Sequence, residues 1–222
     1  MRRLPAIAAA AVLALALTGC SHADLSVDAT ATRSARPVVV AIGDSIMKGH
    51  GLAAADAWPA LIAADNNWSF TNLACDGAGF VTLGDPADCD DDFAGLIKKA
   101  VALHPDLILI SGSSNDLGVD DGTLGQQTAT VIDTLRSELR MTTIVGISTV
   151  WNDTAAPDQM NTINEQVRGS ITKIGGVYLD IGQPLAGHRG WLQHDDVHPT
   201  ATGQRKLASA IAGALRSARL QI

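Results

Sequence analysis

Aromatic and basic residues are scarce in this 222-residue chain, which has one tyrosine, three phenylalanines and four tryptophans. Because 46% of the residues are hydrophobic but only 4% are aromatic, the core must be mainly aliphatic, and the length suits one globular domain. The chain has 16 lysine and arginine residues against 23 aspartate and glutamate residues, a net charge of −7. This acidic balance, without any basic cluster, excludes nucleic acid as an expected partner.

Several sequence patterns of cofactor-binding proteins are also missing. No group of histidine, cysteine and acidic residues has the spacing of a metal site, so we expect no metal. The glycine-rich stretches follow neither the phosphate-loop nor the dinucleotide-binding pattern. No internal repeat of fixed period is present. We therefore expect no cofactor.

The N-terminus has the pattern of an export signal. Met1-Arg2-Arg3 is followed by an apolar stretch over 7–17, which is too short for a membrane span of about 20 residues. The stretch ends in Leu17-Thr18-Gly19-Cys20, which resembles the lipobox of bacterial lipoproteins, whose cysteine is acylated. This resemblance implies a signal peptide over 1–19, lipidation of Cys20 and a flexible tether over 20–36. The alternative is an ordinary secretory signal with an incidental cysteine.

Two further cysteines, Cys75 and Cys89, follow the export segment. An even pair in an exported chain favours a disulfide, because the compartment is oxidising. The bridge would close a loop of about 15 residues, which the chain-entropy model values at about 3 kcal/mol. Two free thiols are the alternative.

The chain from 37 onward alternates strand and helix patterns. Apolar runs punctuated by turn residues predict strands, and apolar residues at helical spacing predict helices, one of them capped by Asp56. The predicted strands are 37–43, 68–74, 106–112, 142–148 and 177–181. The predicted helices are 57–64, 91–103, 123–140, 159–174 and 201–215. Strands separated by helices favour a parallel sheet, so we predict an α/β fold over 37–222, a three-layer α/β/α sandwich with about five strands.

Polar and glycine residues follow the carboxyl ends of the predicted strands, where open α/β sheets bind ligands. Ser45 comes just after the first strand, Gly77 after the second and Asn115 after the third. His198 lies in the loop before the last helix, preceded by Asp195. We expect these residues to meet at one edge of the sheet, where a serine and an Asp/His pair provide the groups for nucleophilic acyl transfer.

Four short motifs carry a resemblance to the SGNH hydrolases, also called the GDSL esterase/lipase family. The first motif is 43–46, Gly-Asp-Ser-Ile, where the family usually ends in leucine, and the second is 72–80, which contains Gly77. The third, 113–116, reads Ser-Ser-Asn-Asp where the family has Gly-x-Asn-Asp, although Gly112 stands one place earlier. The last is Asp195-x-x-His198, followed by proline.

The resemblance implies a role for each matching residue. Ser45 would be the nucleophile, His198 its general base, and Asp195 the residue that orients the imidazole. The backbone amides of Ser45 and Gly77, with the side-chain amide of Asn115, would form the oxyanion hole.

Some of these assignments have competitors within the sequence itself. Asp196 is a rival for orienting the imidazole, and Gly79 a rival for the glycine of the oxyanion hole. Asn115 is alternatively a helix cap, and so is Ser45, which follows a strand. The serine at 113 raises the question of whether the third motif keeps its usual shape.

The sequence therefore predicts a serine esterase of the cell envelope, anchored by its lipid on the extracytoplasmic face of the membrane, or secreted if the lipobox is not used. Its substrate would be a small-molecule, polysaccharide or lipid ester with a short or medium acyl chain, including O-acetyl groups on carbohydrate. The motifs are separated by no insertion long enough for a lid, which favours an open site. We expect a monomer. The alternatives are a lipase, thioesterase or acyltransferase of the same fold, or a catalytically silent binding module.

Overall fold

A computed structural model describes residues 36–220 of the chain. The predicted signal segment, Cys20 and nearly all of the predicted tether lie outside the described residues. Within residues 36–220, no helix is both long enough and apolar enough to cross a membrane.

A parallel sheet of five strands forms the centre of the domain, as predicted, with the order β2-β1-β3-β4-β5. Short apolar runs rich in valine, isoleucine and leucine form most of these strands, because such side chains suit a sheet that is covered on both faces, whereas the edge strand over 69–72 reads Ser-Phe-Thr-Asn. The strands are β1 Val38–Ile42, β2 Ser69–Asn72, β3 Leu107–Ser111, β4 Thr143–Ile147 and β5 Val177–Leu179. All the carboxyl ends therefore lie at one edge of the sheet.

Helices cover both faces of this sheet and complete the predicted three-layer α/β fold. They are α1 Ser45–Lys48, α2 Trp58–Asp65, α3 Phe93–Val101, α4 Asp121–Glu138, α5 Gln159–Lys173 and α6 Ala201–Ser217. Short 3-10 turns occur at Ala54–Asp56, Ser114–Asp116 and Arg189–Trp191.

The alternation of side chains along each strand creates two cores. Val39 and Ala41 of β1 pack in the layer of α2 and α6, together with Trp58 and Ile211. Val40 and Ile42 point to the opposite face and pack in the layer of α3, α4 and α5. Most of these side chains are aliphatic and fully buried, so the sheet provides a rigid base for the loops at its edge.

The structure corrects one local prediction and adds one short helix. Asp56 does not cap α2, because it ends a 3-10 turn, and Ala57 stands at the cap position without a side-chain bond. The four-residue helix α1 was not predicted, since its length gives no helical periodicity. Its cap is Asp44, whose carboxylate accepts from the Ile46 amide at 3.0 Å.

Candidate active site

Ser45 lies at the first turn of α1, immediately beyond the carboxyl end of β1. Gly43 and Asp44 join the two elements, and a side chain on Gly43 would come within 2.6 Å of the Met47 sulfur. The glycine therefore permits the tight passage from strand to helix. This turn presents the serine at the edge of the sheet where ligands of α/β folds bind.

The serine, histidine and aspartate meet in a chain of short contacts. Ser45 Oγ lies 2.9 Å from His198 Nε2, although the two residues are 153 positions apart. His198 Nδ1 lies 2.7 Å from Asp195 Oδ2. This geometry allows the imidazole to accept the serine proton on one nitrogen while its other nitrogen donates to the carboxylate.

Asp195 is fixed by its own loop as well as by the histidine ring. Its Oδ1 accepts from the backbone amides of Val197 at 3.0 Å and His198 at 2.9 Å. Partial burial acts to raise the pKa of Asp195. The hydrogen bonds from the His198 ring and from these amides outweigh it and hold that pKa below its usual range. The carboxylate therefore remains charged through the acidic range and can stabilise an imidazolium.

Asp196, the rival orienting residue, makes different contacts. Its carboxylate forms an ion pair with Arg189, and its backbone oxygen accepts from the side chain of Asn152 at 3.1 Å. The backbone of Asp196 has φ +60°, a left-handed conformation that turns the chain between Asp195 and His198. The geometry thus favours Asp195 as the partner of the histidine.

Gly77 belongs to a turn beyond β2 and has φ +77°, a conformation that favours glycine. Among residues 36–220, no protein group accepts a hydrogen bond from the backbone N–H of Gly77 or of Ser45. The rival Gly79 differs, because its amide donates to Thr82 O at 2.9 Å and a side chain there would collide with Asp116. The geometry favours Gly77 as the glycine with an amide available to a substrate.

Asn115 lies in the 3-10 turn that follows β3, on the same side of the sheet. Its Nδ2 donates to the backbone oxygen of Ala78 at 3.0 Å, which brings the third motif beside the second. A side-chain amide nitrogen carries two hydrogens, so this contact leaves one for a ligand. The cap of the turn is Ser113, whose hydroxyl accepts from the Asn115 amide at 3.1 Å.

The structure also reveals contributors to the site that the sequence patterns did not assign. The buried carboxylate of Asp116 accepts from the backbone amides of Phe80 at 2.7 Å, Val81 at 3.1 Å and Thr82 at 3.0 Å, which braces the loop containing Gly77. His50 stacks on the ring of His198, with ring centroids 4.1 Å apart. The family motif contains the aspartate at 116, but no sequence pattern marked His50.

The disulfide expected from the cysteine pair lies beside the oxyanion candidates. Cys75 and Cys89 are joined, with their Cα atoms 6.0 Å apart. The bridge holds Asp76 near Asp88, whose carboxylate accepts from the Asp76 amide at 2.9 Å. Lys48 of α1 forms an ion pair with Asp88, so the second motif is tied to the helix that carries Ser45.

Comparisons with known proteins identify a relative in sequence and several in fold. The GDSL lipase Rv0518 of Mycobacterium tuberculosis is 28% identical over 193 residues, covering 79% of this chain and 80% of the relative. A family two carbohydrate esterase from Cellvibrio japonicus has a similar fold, with a TM-score of 0.65, 17% identity and coverage of 82% and 62% of the two chains. Phospholipase A1 from Streptomyces albidoflavus NA297 also has a similar fold, with a TM-score of 0.61 and 19% identity. The match covers 81% of this chain and 100% of the phospholipase chain.

The α/β sandwich, the serine–histidine contact and these relatives together define a serine hydrolase that acts on ester bonds. The model of the GDSL-like Lipase/Acylhydrolase family matches residues 41–206, from β1 into α6. The chain belongs to this family, the SGNH hydrolases, as its four motifs predicted.

Proposed function

We propose that the protein is a cell-envelope esterase that hydrolyses carboxylic esters of short or medium acyl chains through an acyl-enzyme on Ser45. The observation that carries this proposal is the pair of contacts of His198, 2.9 Å to Ser45 Oγ and 2.7 Å to Asp195 Oδ2. These two contacts support the roles of Ser45 as nucleophile, His198 as base and Asp195 as the orienting carboxylate.

In the first step of the proposed reaction, Ser45 Oγ attacks the ester carbonyl carbon while its proton moves to His198 Nε2. The amides of Ser45 and Gly77 and the Nδ2 of Asn115 donate to the oxygen that becomes negative. When the carbonyl re-forms, the bond to the alcohol breaks, and the leaving oxygen takes the proton from Nε2. The acyl group is then bound to Ser45.

In the second step, His198 accepts a proton from water as the water oxygen attacks the acyl carbon. The bond to Ser45 Oγ then breaks, the proton returns to that oxygen, and the free acid leaves. Asp195, held ionised, stabilises the imidazolium in both steps.

A preference for short or medium acyl chains is supported by the shallowness of the site. The side chain of Asp195 is 42% exposed and that of His198 is 18% exposed, so the triad lies close to the protein surface. Such a site leaves little enclosed apolar surface for a long chain. A carbohydrate esterase and a phospholipase share the fold, so we include O-acetyl groups on carbohydrate among the proposed substrates.

A panel of p-nitrophenyl esters from acetate to palmitate, assayed beside acetylated xylan, tests this proposal, with Ser45→Ala as the matched control. We expect the highest kcat/KM at acetyl to octanoyl chains, or release of acetate from xylan, and labelling of Ser45 by a fluorophosphonate probe. Highest activity on palmitate would overturn the chain-length assignment. Absence of both labelling and turnover would support a silent binding module instead.

We also propose that Cys20 carries a lipid that anchors the protein on the extracytoplasmic face of the membrane. The lipobox-like sequence supports this anchor, and the disulfide is consistent with an oxidising compartment.

Membrane fractionation of the full chain and of Cys20→Ser tests the anchor. We expect the unchanged chain in the membrane fraction, with a lipid mass on the peptide that begins at Cys20, and the variant in the soluble exported fraction. An unmodified Cys20 in a soluble protein would contradict the proposal.

A further inference from the structure

The ring of His50 covers one face of the His198 ring. The two centroids lie 4.1 Å apart and the ring planes differ by 29°, which is a stacked arrangement. This contact matters because His198 belongs to an exposed loop, in which the side chain of Asp195 is itself 42% exposed. The contacts of the imidazole with Asp195 and Ser45 are both made at the edge of the ring, so packing against a ring face adds a restraint on its tilt.

His50 is in turn held by groups from two separate segments. Its Nδ1 lies 2.7 Å from Asp76 Oδ2, and its backbone amide donates to Ser45 O at 3.0 Å. Its backbone oxygen accepts from Gln193 Nε2 at 2.7 Å, and the same nitrogen donates to Pro199 O at 3.0 Å. Gln193 therefore connects the His50 turn to the residue that follows His198.

The surroundings of Asp76 stabilise this arrangement. Lys48 Nζ lies 3.5 Å from the same Oδ2 that contacts His50, and Lys48 also pairs with Asp88. The Cys75–Cys89 disulfide holds Asp76 and Asp88 beside each other. Asp76 directly precedes Gly77, so the loop closed by the disulfide supports both the histidine stack and the proposed oxyanion donor.

We propose that His50 is a positioning residue for His198: its ring, anchored by Asp76, keeps Nε2 of His198 directed at Ser45. In this role His50 acts through the ring that it covers and takes no part in the bond changes at Ser45. The inference rests on the proposed function, because it assigns His198 as the general base. A displacement of the catalytic base by about 1 Å lowers the rate on the order of 100-fold. Loss of the His50 ring should therefore lower kcat by up to about this factor.

Three variants separate the ring stack from other roles of His50. His50→Phe keeps an aromatic ring but loses the bond to Asp76, whereas His50→Gln keeps a polar group but loses the ring, and His50→Ala loses both. His104→Asn is the matched control, because His104 is exposed near the opposite edge of the sheet and its φ of +47° suits asparagine. Each variant is assayed for kcat and KM on a p-nitrophenyl ester, for the rate of fluorophosphonate labelling, and for Tm.

We expect His50→Ala and His50→Gln to lower kcat and the labelling rate by about 10- to 100-fold, with KM within about twofold of the unchanged protein. His50→Phe should recover most of this loss, and His104→Asn should show none. If His50→Ala does not fold, the comparison of the Phe and Gln variants still tests the stack.

Three results would overturn the proposal: unchanged kcat in all His50 variants, a rise in KM alone, or equal losses in the Phe and Gln variants at unchanged Tm. A rise in KM alone would place His50 against the substrate instead. Labelling of the unchanged protein separates this proposal from the proposed function. If the unchanged protein is not labelled, the serine mechanism fails, whereas normal labelling with unaffected His50 variants contradicts only the role of His50.

Discussion

The hydroxyl of Ser113 lies 2.9 Å from the buried carboxylate of Asp44, which joins the third motif of the family to the first. The same oxygen lies 2.9 Å from Ala78 O and accepts from the Asn115 amide at 3.1 Å. Burial raises the pKa of the Asp44 carboxyl, while the hydrogen bonds from Ser113 and Ile46 act against that rise. The serine that replaces the family's usual glycine therefore connects the loops of the site and supplies a hydrogen bond to a carboxylate that is almost entirely buried.

Replacing Ser113 with alanine should destabilise the protein by about 1–3 kcal/mol, because Oδ2 of the buried Asp44 carboxylate loses its hydrogen bond from Ser113, while Oδ1 keeps the Ile46 amide. Urea unfolding measures the effect, with Ser114→Ala as the neighbouring control. Loss of the hydroxyl raises the pKa of Asp44 in the folded state further. A group with a raised folded-state pKa contributes stability at low pH, where it is protonated, and this contribution is lost as the pH rises. The deficit should therefore be smaller near about pH 4 than at neutral pH. Equal stability of the two variants would show that the hydroxyl is not needed.

Replacing Ser45 with alanine should abolish ester hydrolysis and leave the fold intact, since the proposed role of the hydroxyl is chemical. Loss of a nucleophile typically lowers kcat by about 10³- to 10⁶-fold. Steady-state assays and circular dichroism of the variant provide the measurement. Residual activity above about one hundredth of the original rate would contradict the assignment of Ser45.

Replacing Asn115 with alanine should lower kcat by about 10²- to 10³-fold and change KM little, because an oxyanion bond forms chiefly in the transition state. Fluorophosphonate labelling of Ser45 should also slow, since the adduct places an oxygen in the same hole. Stopped-flow labelling and steady-state kinetics measure both effects. A variant with a lower Tm and a normal kcat would identify Asn115 as a structural cap.

Removing the disulfide should affect both stability and activity. The double variant Cys75→Ala and Cys89→Ala should lose about 3 kcal/mol of unfolding free energy, the value for a loop of this size. Its kcat should also fall, because Gly77 lies two residues beyond Cys75. Mass mapping of the unreduced protein provides the independent check, and two alkylatable thiols would contradict the bridge.

Replacing Asp195 with asparagine should lower kcat by about 10⁴-fold, because the amide does not hold the imidazole in the required tautomer. The lowered pKa of Asp195 also predicts a pH-dependent stability. Its contribution is present above the unfolded value of about 3.9 and is lost as the pH falls through the folded value, so unfolding curves of the two proteins should converge below about pH 4. A constant stability difference across this range would contradict the shift.

Most elements of the fold could be predicted because their signals are local. Each of the five predicted strands and five predicted helices is present, with ends that differ by a few residues. The first predicted strand, 37–43, is shortened to Val38–Ile42. A strand ends where the neighbouring strands no longer provide backbone hydrogen-bond partners, and this depends on the tertiary structure. Asp56 failed as a cap because three residues before α2 form their own 3-10 turn.

The residues of the site divide in the same way. The motifs marked Ser45, Asp195 and His198, and the structure brings these three side chains into contact. The competition between Gly77 and Gly79 could not be resolved from the sequence, because both glycines stand in one loop. Only the folded chain shows that the amide of Gly79 donates to Thr82 O. The amide of Gly77 donates to no protein group among residues 36–220.

The sequence by itself determined the alternation of strands and helices, the family and the residue types of the site, because periodicity and short motifs depend on neighbours along the chain. The tertiary structure decided the strand order, the choice of Asp195 over Asp196, the bond between Ser113 and Asp44, and the stack of His50 on His198. These features depend on contacts between residues that are distant in sequence or on the path of a single loop. Such contacts arise only when the packing of two aliphatic cores sets the loops at one edge of the sheet against each other.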